Sequence, residues 1–196
     1  MGSRSSTVPS FYKISAYSTG SSTDTSNASF GKNWKNEIFL EISTGKGLKY
    51  DDIRDNEELL TKFKDFVGVH EKINKVRMYR TRLFVFYAFC EYWLHHLFVV
   101  FETDKYGWSI EKHSDVITIQ LNDDKCHVQR YLVQKRRLCQ TLVAEGEGRM
   151  SVYDLIKWLK GEDELNNTYH VMSSNCKLFA NRVFEHLIQK QRSSKL

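Results

Sequence analysis

The chain has 196 residues, a formal net charge of +5, and 41% apolar residues, with aromatics making up 13% of the whole. That length suits one domain with a full core, and that composition excludes wholesale disorder. The charge excess is modest and the basic run Lys135-Arg136-Arg137 is short. It reads as a solvated turn, so no nucleic-acid partner is expected.

The four cysteines, Cys90, Cys126, Cys139 and Cys176, form no C-x-x-C pair and show no metal-ligand spacing. With no signal peptide ahead of them, free thiols in a reducing, cytoplasmic setting are expected, with neither metal nor cofactor. Residues 83–101 are apolar but broken by Glu91, His95 and His96, which favours two buried strands over a membrane span.

Residues 1–32 read as a disordered tail, rich in serine and threonine and holding the only proline, Pro9. Its start, Met1-Gly2-Ser3-Arg4-Ser5-Ser6, fits the pattern for myristoylation of Gly2. Chance or a remnant of cloning is the favoured alternative, and one acyl chain would give only weak membrane association.

Residues 33–80 are expected to form a helical extension ahead of the main domain. Within it, Trp34 through Ile42 fits a strand or an N-terminal brace. Residues 51–67 fit a helix, with Asp51, Asp52 and Asp55 at its positive end. Ile53, Leu59, Leu60, Phe63, Phe66 and Val67 supply its apolar face. Helix continues through residues 69–79 in one reading, against Val76, Met78 and Tyr79.

Residues 81–190 are expected to form the main domain, followed by a polar tail at 191–196. Residues 82–89 and 97–101 are apolar and β-branched or aromatic, as buried strands should be, and the second is apolar on both faces. A turn at Asp104-Lys105-Tyr106-Gly107 leads to alternating strands at 108–112 and 116–120. A fifth strand fits residues 140–144, broken by Gly146-Glu147-Gly148. Ser151 and Asp154 suggest a capping box for a helix that ends at Gly161. The predicted class is α+β: an antiparallel sheet of four to five strands, in meander order, packed against a C-terminal helix.

That helix carries the chemistry. In Tyr169-His170-Val171-Met172-Ser173-Ser174-Asn175-Cys176-Lys177-Leu178-Phe179-Ala180, Ser174 and Asn175 are good capping residues. Counted from Cys176, the apolar residues Phe179, Ala180, Val183, Phe184 and Leu187 form one stripe. Cys176 therefore sits in the first helical turn, among unpaired N–H groups and at the positive dipole end, where thiolate is favoured over thiol. A small buried cysteine at a helix start is the equally weighted alternative.

A thiolate nucleophile needs an imidazole, and the imidazole needs a polar group to hold it. His96 opens an otherwise apolar strand, where a polar side chain is costly unless paired. His95 competes with it, but parity puts the two on opposite faces. Ser109, Glu111 and His113 share a face of the next strand; Glu111 is chosen because a carboxylate best supports an imidazolium. A solvent-facing Glu111 is as plausible from the residues alone.

The run from His96 to Phe101, then Trp108-Ser109-Ile110-Glu111, then Tyr169 and Asn175-Cys176-x-x-Phe179, resembles the circularly permuted papain-like proteins. Within them it is similar to the lecithin:retinol acyltransferase-like group, with the PPPDE peptidases second. The resemblance covers roughly residues 84–187. It differs at Lys177 and Leu178, where the family commonly has Gln or Glu and then His, and at the second-strand position, often histidine in the acyltransferase branch. Residues 189–196 are polar and short where several acyltransferases carry a membrane helix.

The resemblance implies covalent thiol chemistry with Cys176 as nucleophile, His96 as base and Glu111 as the supporting residue. Attack on an ester or amide would give a thioester, resolved by water or an acceptor. The expected substrate is an acyl-lipid or a peptide. A non-enzymatic interaction module keeping the fold is the third reading.

Overall fold

Among the described residues seven strands line up in one sheet because most of them are apolar on at least one face, and the middle ones are buried on both. The computed structural model describes residues 34–45, 47–82, 95–125, 140–170 and 173–188. The strands are β1 (Ile38–Thr44), β2 (Gly47–Ile53), β3 (Ile73–Arg82), β4 (His95–Thr103), β5 (Gly107–Lys112), β6 (Ile117–Asn122) and β7 (Gln140–Glu147). Among the described residues three helices accompany them: α1 (Asn56–Val67), α2 (Val152–Gly161) and α3 (Cys176–Ile188). The spatial order is β2-β1-β6-β5-β4-β3-β7.

β4, β5 and β6 lie mid-sheet, and every residue of β5 and β6 is buried. β7 is an edge strand and leaves Leu142 and Val143 exposed. Alternation divides the core. Leu97, Val99, Phe101, Trp108 and Ile110 join the helices' Leu59, Phe63, Leu155, Phe179 and Val183 in one large cluster. Phe98 and Val100, with Tyr79, form a second cluster on the other face.

Each helix start has a local cause. Asp55 caps α1 by accepting from the N–H groups of Glu57 and Glu58. Ser151 and Asp154 make the predicted capping box of α2. In α3 the buried side is Cys176, Phe179, Ala180, Val183, Phe184 and Leu187, the predicted stripe, which packs against β3, β4 and β5. Burying a Phe, Val or Leu side chain contributes about 1.5–3 kcal/mol, so this face is what fixes the helix.

The α+β class and the meander order of β4 to β6 agree with expectation, but the sheet is larger and mixed. β1 runs parallel to β6, pairing Ile38 with Ile117 and Ser43 with Asn122. The segment 33–80, expected as a helical extension, supplies β1, β2, α1 and β3. Residues 51–53 end β2 instead of starting a helix, because the Asp55 cap sets the start of α1 after it. Residues 73–79 are strand, not continuing helix. Gly68 ends α1 at φ 79°, and Val76 and Met78 fall on the buried side of a ladder with β4. β7 runs on through Gly146 to Glu147 where a break was expected.

The serine-rich tail with Gly2, residues 83–89 of the first predicted strand, Cys90, Cys126, Cys139, Lys135-Arg136-Arg137 and the 191–196 tail all lie outside the described residues. Among the described residues, no helix is long and apolar enough to cross a membrane.

Candidate active site

Asn175 caps α3: its Oδ1 accepts from the Leu178 N–H at 2.9 Å and its carbonyl from the Phe179 N–H at 3.0 Å. Cys176 is thereby the first helical residue, and its side chain is buried. An isolated bridge between His170 and Ser174 folds the preceding chain back on itself, bringing it straight into the cap.

His96 and Glu111 project from the sheet face opposite to α3, since Leu97 and Ile110 beside them belong to the helix-side cluster. A helix on one side must therefore reach a ring on the other. It does so at a fork between two strands. β4 and β5 pair only from Glu102↔Gly107 to Val99↔Ile110, whereas β3 stays paired to β4 through His95. The open edge of β4 next to His96 is the β5 side, and there the sulfur enters. Sγ of Cys176 lies 3.9 Å from the His95 carbonyl oxygen and accepts from the Leu97 N–H. These two backbone groups flank His96, whose ring hydrogen-bonds the sulfur.

On its other side the ring is held by a carboxylate. His96 Nε2 is 2.7 Å from Glu111 Oε2, and both side chains are buried. His113 lies beyond, its Nε2 3.4 Å from Glu111 Oε1 and its ring nearly parallel to that of His96 at 5.3 Å. Of the three residues weighed for the supporting position, Glu111 meets His96. Ser109 instead donates to Gln120 at 3.0 Å. His95 contributes only its carbonyl oxygen to the sulfur.

The electrostatics follow from these contacts. Burial opposes a charged His96, but hydrogen bonds to Cys176 and Glu111, reinforced by their negative charge, raise its pKa to about 8. Burial alone would push the Cys176 thiol up; the His96 hydrogen bond and charge, the Leu97 N–H and the Tyr169 hydroxyl bring it below its ordinary value. The two shifts favour one state, thiolate beside imidazolium.

A second polar group braces the approach to the cysteine from the helix side. Lys112 is fully buried, and its Nζ donates to Glu164 Oε2 at 3.2 Å, the Asn167 carbonyl at 2.6 Å and Ser174 Oγ at 3.0 Å. Arg182 of α3 pairs with the same Glu164. The ammonium also lies over the rings of Trp34 at 4.9 Å and Phe179 at 5.8 Å. Burial lowers the Lys112 pKa against the pull of Glu164.

Neither Lys112, expected only as part of a strand, nor Glu164 was expected at the site, and Tyr169 had no assigned role. Lys112 sits in an alternating strand where a lysine normally faces water, so no local signal marks it. Tyr169 opens the stretch that leads to the cysteine and is among the residues that carry the resemblance, and these are the hints of its contact with the sulfur.

Fold and site together define an α+β protein with a mixed sheet and a Cys–His–Glu group at a helix mouth. No protein-family model, curated protein or solved structure matches this chain.

Proposed function

We propose that the protein is a cysteine-dependent acyltransferase or hydrolase acting through a thioester, with an arrangement of the permuted papain-like kind. The observation that carries this reading is His96, buried and bonded to the Cys176 sulfur on one side and to Glu111 at 2.7 Å on the other. Such a pair is costly to bury. A structural role for Cys176 alone offers no reason to place it beside an imidazole that a carboxylate holds.

The steps follow from the contacts. The Cys176 thiolate attacks an ester or amide carbonyl, forming the S–C bond and a tetrahedral oxyanion. With Nε2 engaged by Glu111, His96 uses Nδ1 toward the sulfur and gives its proton to the leaving alcohol or amine as the C–O or C–N bond breaks. Water or an acceptor nucleophile then loses a proton to His96 and attacks the thioester, which releases the thiolate. Glu111 stays ionised and fixes the ring and its tautomer. The Cys176 N–H at the helix start and the Tyr169 hydroxyl are the donors that would hold the oxyanion. A reducing compartment such as the cytoplasm suits a nucleophile that must remain a thiol.

An acyl-lipid and a peptide or isopeptide remain the two substrate classes. Exposed Leu178 next to the nucleophile offers an apolar contact to either. Metal-free protein treated with a p-nitrophenyl acyl ester is expected to accumulate a hydroxylamine-sensitive acyl adduct on Cys176, absent in His96→Ala. A chain that acylates no faster at Cys176 than at Cys90, Cys126 or Cys139 is an interaction module and not an enzyme. Capture by a ubiquitin-type C-terminal electrophile instead of an acyl-lipid analogue would assign the peptide substrate.

A further inference from the structure

His113 has no place in the mechanism above, yet it points a ring nitrogen at the same carboxylate that holds His96. His96, Glu111 and His113 each offer one ligand atom, and these three atoms all lie within 4.8 Å of one another. The sulfur of Cys176 is outside that group. Two imidazole nitrogens and a carboxylate oxygen are a donor set for zinc, whereas Mg2+ and Ca2+ prefer oxygens alone. Three protein ligands leave one tetrahedral position for water. The side chain of His113 is 28% exposed, against 7% for His96 and 5% for Glu111, so an ion enters from the His113 side.

We propose that His96 Nε2, Glu111 and His113 Nε2 form a binding site for Zn2+ that switches off the thiol chemistry of Cys176. This rests on the acyl-transfer reading for its consequence, though not for the binding itself. The logic is that of one nitrogen with two claimants. Zn2+ takes the Nε2 lone pair, and the proton that Nε2 shared with Glu111 leaves to solvent. The one proton left on the ring is then on Nδ1, facing the sulfur. That nitrogen has no lone pair for the proton of an incoming water or acceptor, and a metal-bound imidazole surrenders its Nδ1 proton to a leaving group only reluctantly. Glu111, drawn onto the ion, no longer supports an imidazolium. The thiolate persists, but its proton carrier is fixed in one form.

The same reasoning separates this site from ordinary zinc poisoning of a cysteine, in which the metal sits on sulfur. Here the ion lies on the far side of the imidazole, so Cys176 is dispensable for binding and His113 is required.

The test is a calorimetric titration of the full chain, stripped with EDTA, with ZnCl2 and separately with MgCl2. One Zn2+ per chain is expected, with net proton release and no Mg2+ binding. His113→Ala should weaken Zn2+ by about 10–100-fold or more, since even outer-shell partners of a metal ligand are worth that much. Cys176→Ser should bind as the parent does. A Co2+-loaded sample should show four-coordinate visible bands without a thiolate charge-transfer band. Unchanged affinity in His113→Ala, loss of binding in Cys176→Ser, or a thiolate band would each overturn the site. Acylation of Cys176 by the ester probe, scaled to each protein's metal-free rate, should require about tenfold more Zn2+ for half-inhibition in His113→Ala. Zinc that binds through His113 and leaves the parent's acylation rate unaltered would overturn the switch. Metal-free protein that never acylates defeats the enzymatic reading, and the calorimetry then decides the metal site on its own.

Discussion

His96 is bonded to two acidic partners at once, and its protonation state decides what the site does. Its folded pKa, raised from 6.5 to about 8, makes charged His96 a stabilising group. That contribution is fully present below pH 6.5 and is lost as pH rises through 8, and its size is on the order of 2 kcal/mol. Cys176, shifted downward from 9.0, works in the opposite sense. Its contribution is present above pH 9 and is lost as pH falls through its folded value. In metal-free protein, urea unfolding at pH 6 and pH 8.5 should therefore show the stability gap between parent and His96→Gln narrowing at the higher pH. A gap that widens would mean the ring is buried neutral. The alkylation rate of Cys176 by iodoacetamide should persist below the range of an ordinary thiol, and His96→Ala should lower it about 10²–10⁴-fold at neutral pH. Glu111→Gln should fall between the two, because it keeps the shape of the partner and removes the charge.

At the scale of elements, α3 and the β4–β5 fork decide whether those residues meet. Asn175→Ala removes the cap contact to the Leu178 N–H and should cost about 1 kcal/mol, seen as a lower urea midpoint with unchanged m. Its effect on Cys176 alkylation should exceed what that loss implies, since the cap also sets where the first turn begins. Gly148 follows β7, and there a Cβ would lie 2.5 Å from both the carbonyl oxygen and Cγ2 of Ile73. Gly148→Ala must push β7 off the start of β3, and its chevron should show faster unfolding. The sequence carried much of this level. The stripe of α3, the Ser151–Asp154 box and the β4 to β6 meander were all readable because each depends on residues close together in the chain. The parallel pairing of β1 with β6 was not, since Ile38 and Ile117 carry no mark of each other. Nor was the fork: parity separates His95 from His96, but that the ring meeting Cys176 lies on the face away from α3, reached where β5 stops pairing, depends on tertiary structure.

For the whole molecule, Lys112 ties distant parts together. One ammonium meets Trp34 near the first described residues, Glu164 and Asn167 after α2, and Ser174 just before the nucleophile. Removing one partner of a buried pair costs about 3–5 kcal/mol, because the other is left charged and dry. Arg182 still faces Glu164, which places Lys112→Met at the lower end of that range. Lys112→Met combined with Glu164→Gln should recover part of the loss, and additive losses in the double variant would show that the two do not interact. Lys112 was invisible in the sequence for the reason that makes it informative: a lysine in an alternating strand is ordinarily a surface residue, and only tertiary structure supplies its three acceptors.

The way the sulfur reaches its imidazole also sets an order of events during synthesis. His96 and Glu111 leave the ribosome well before Cys176, and the sheet that carries them pairs β1 with β6 across a long stretch of chain. Such distant pairing is slow to form. Cys176 gains its low thiol pKa only when α3 docks at the notch between β4 and β5, so it waits on that pairing. A half-folded chain, in which α3 has yet to dock, therefore holds an ordinary cysteine.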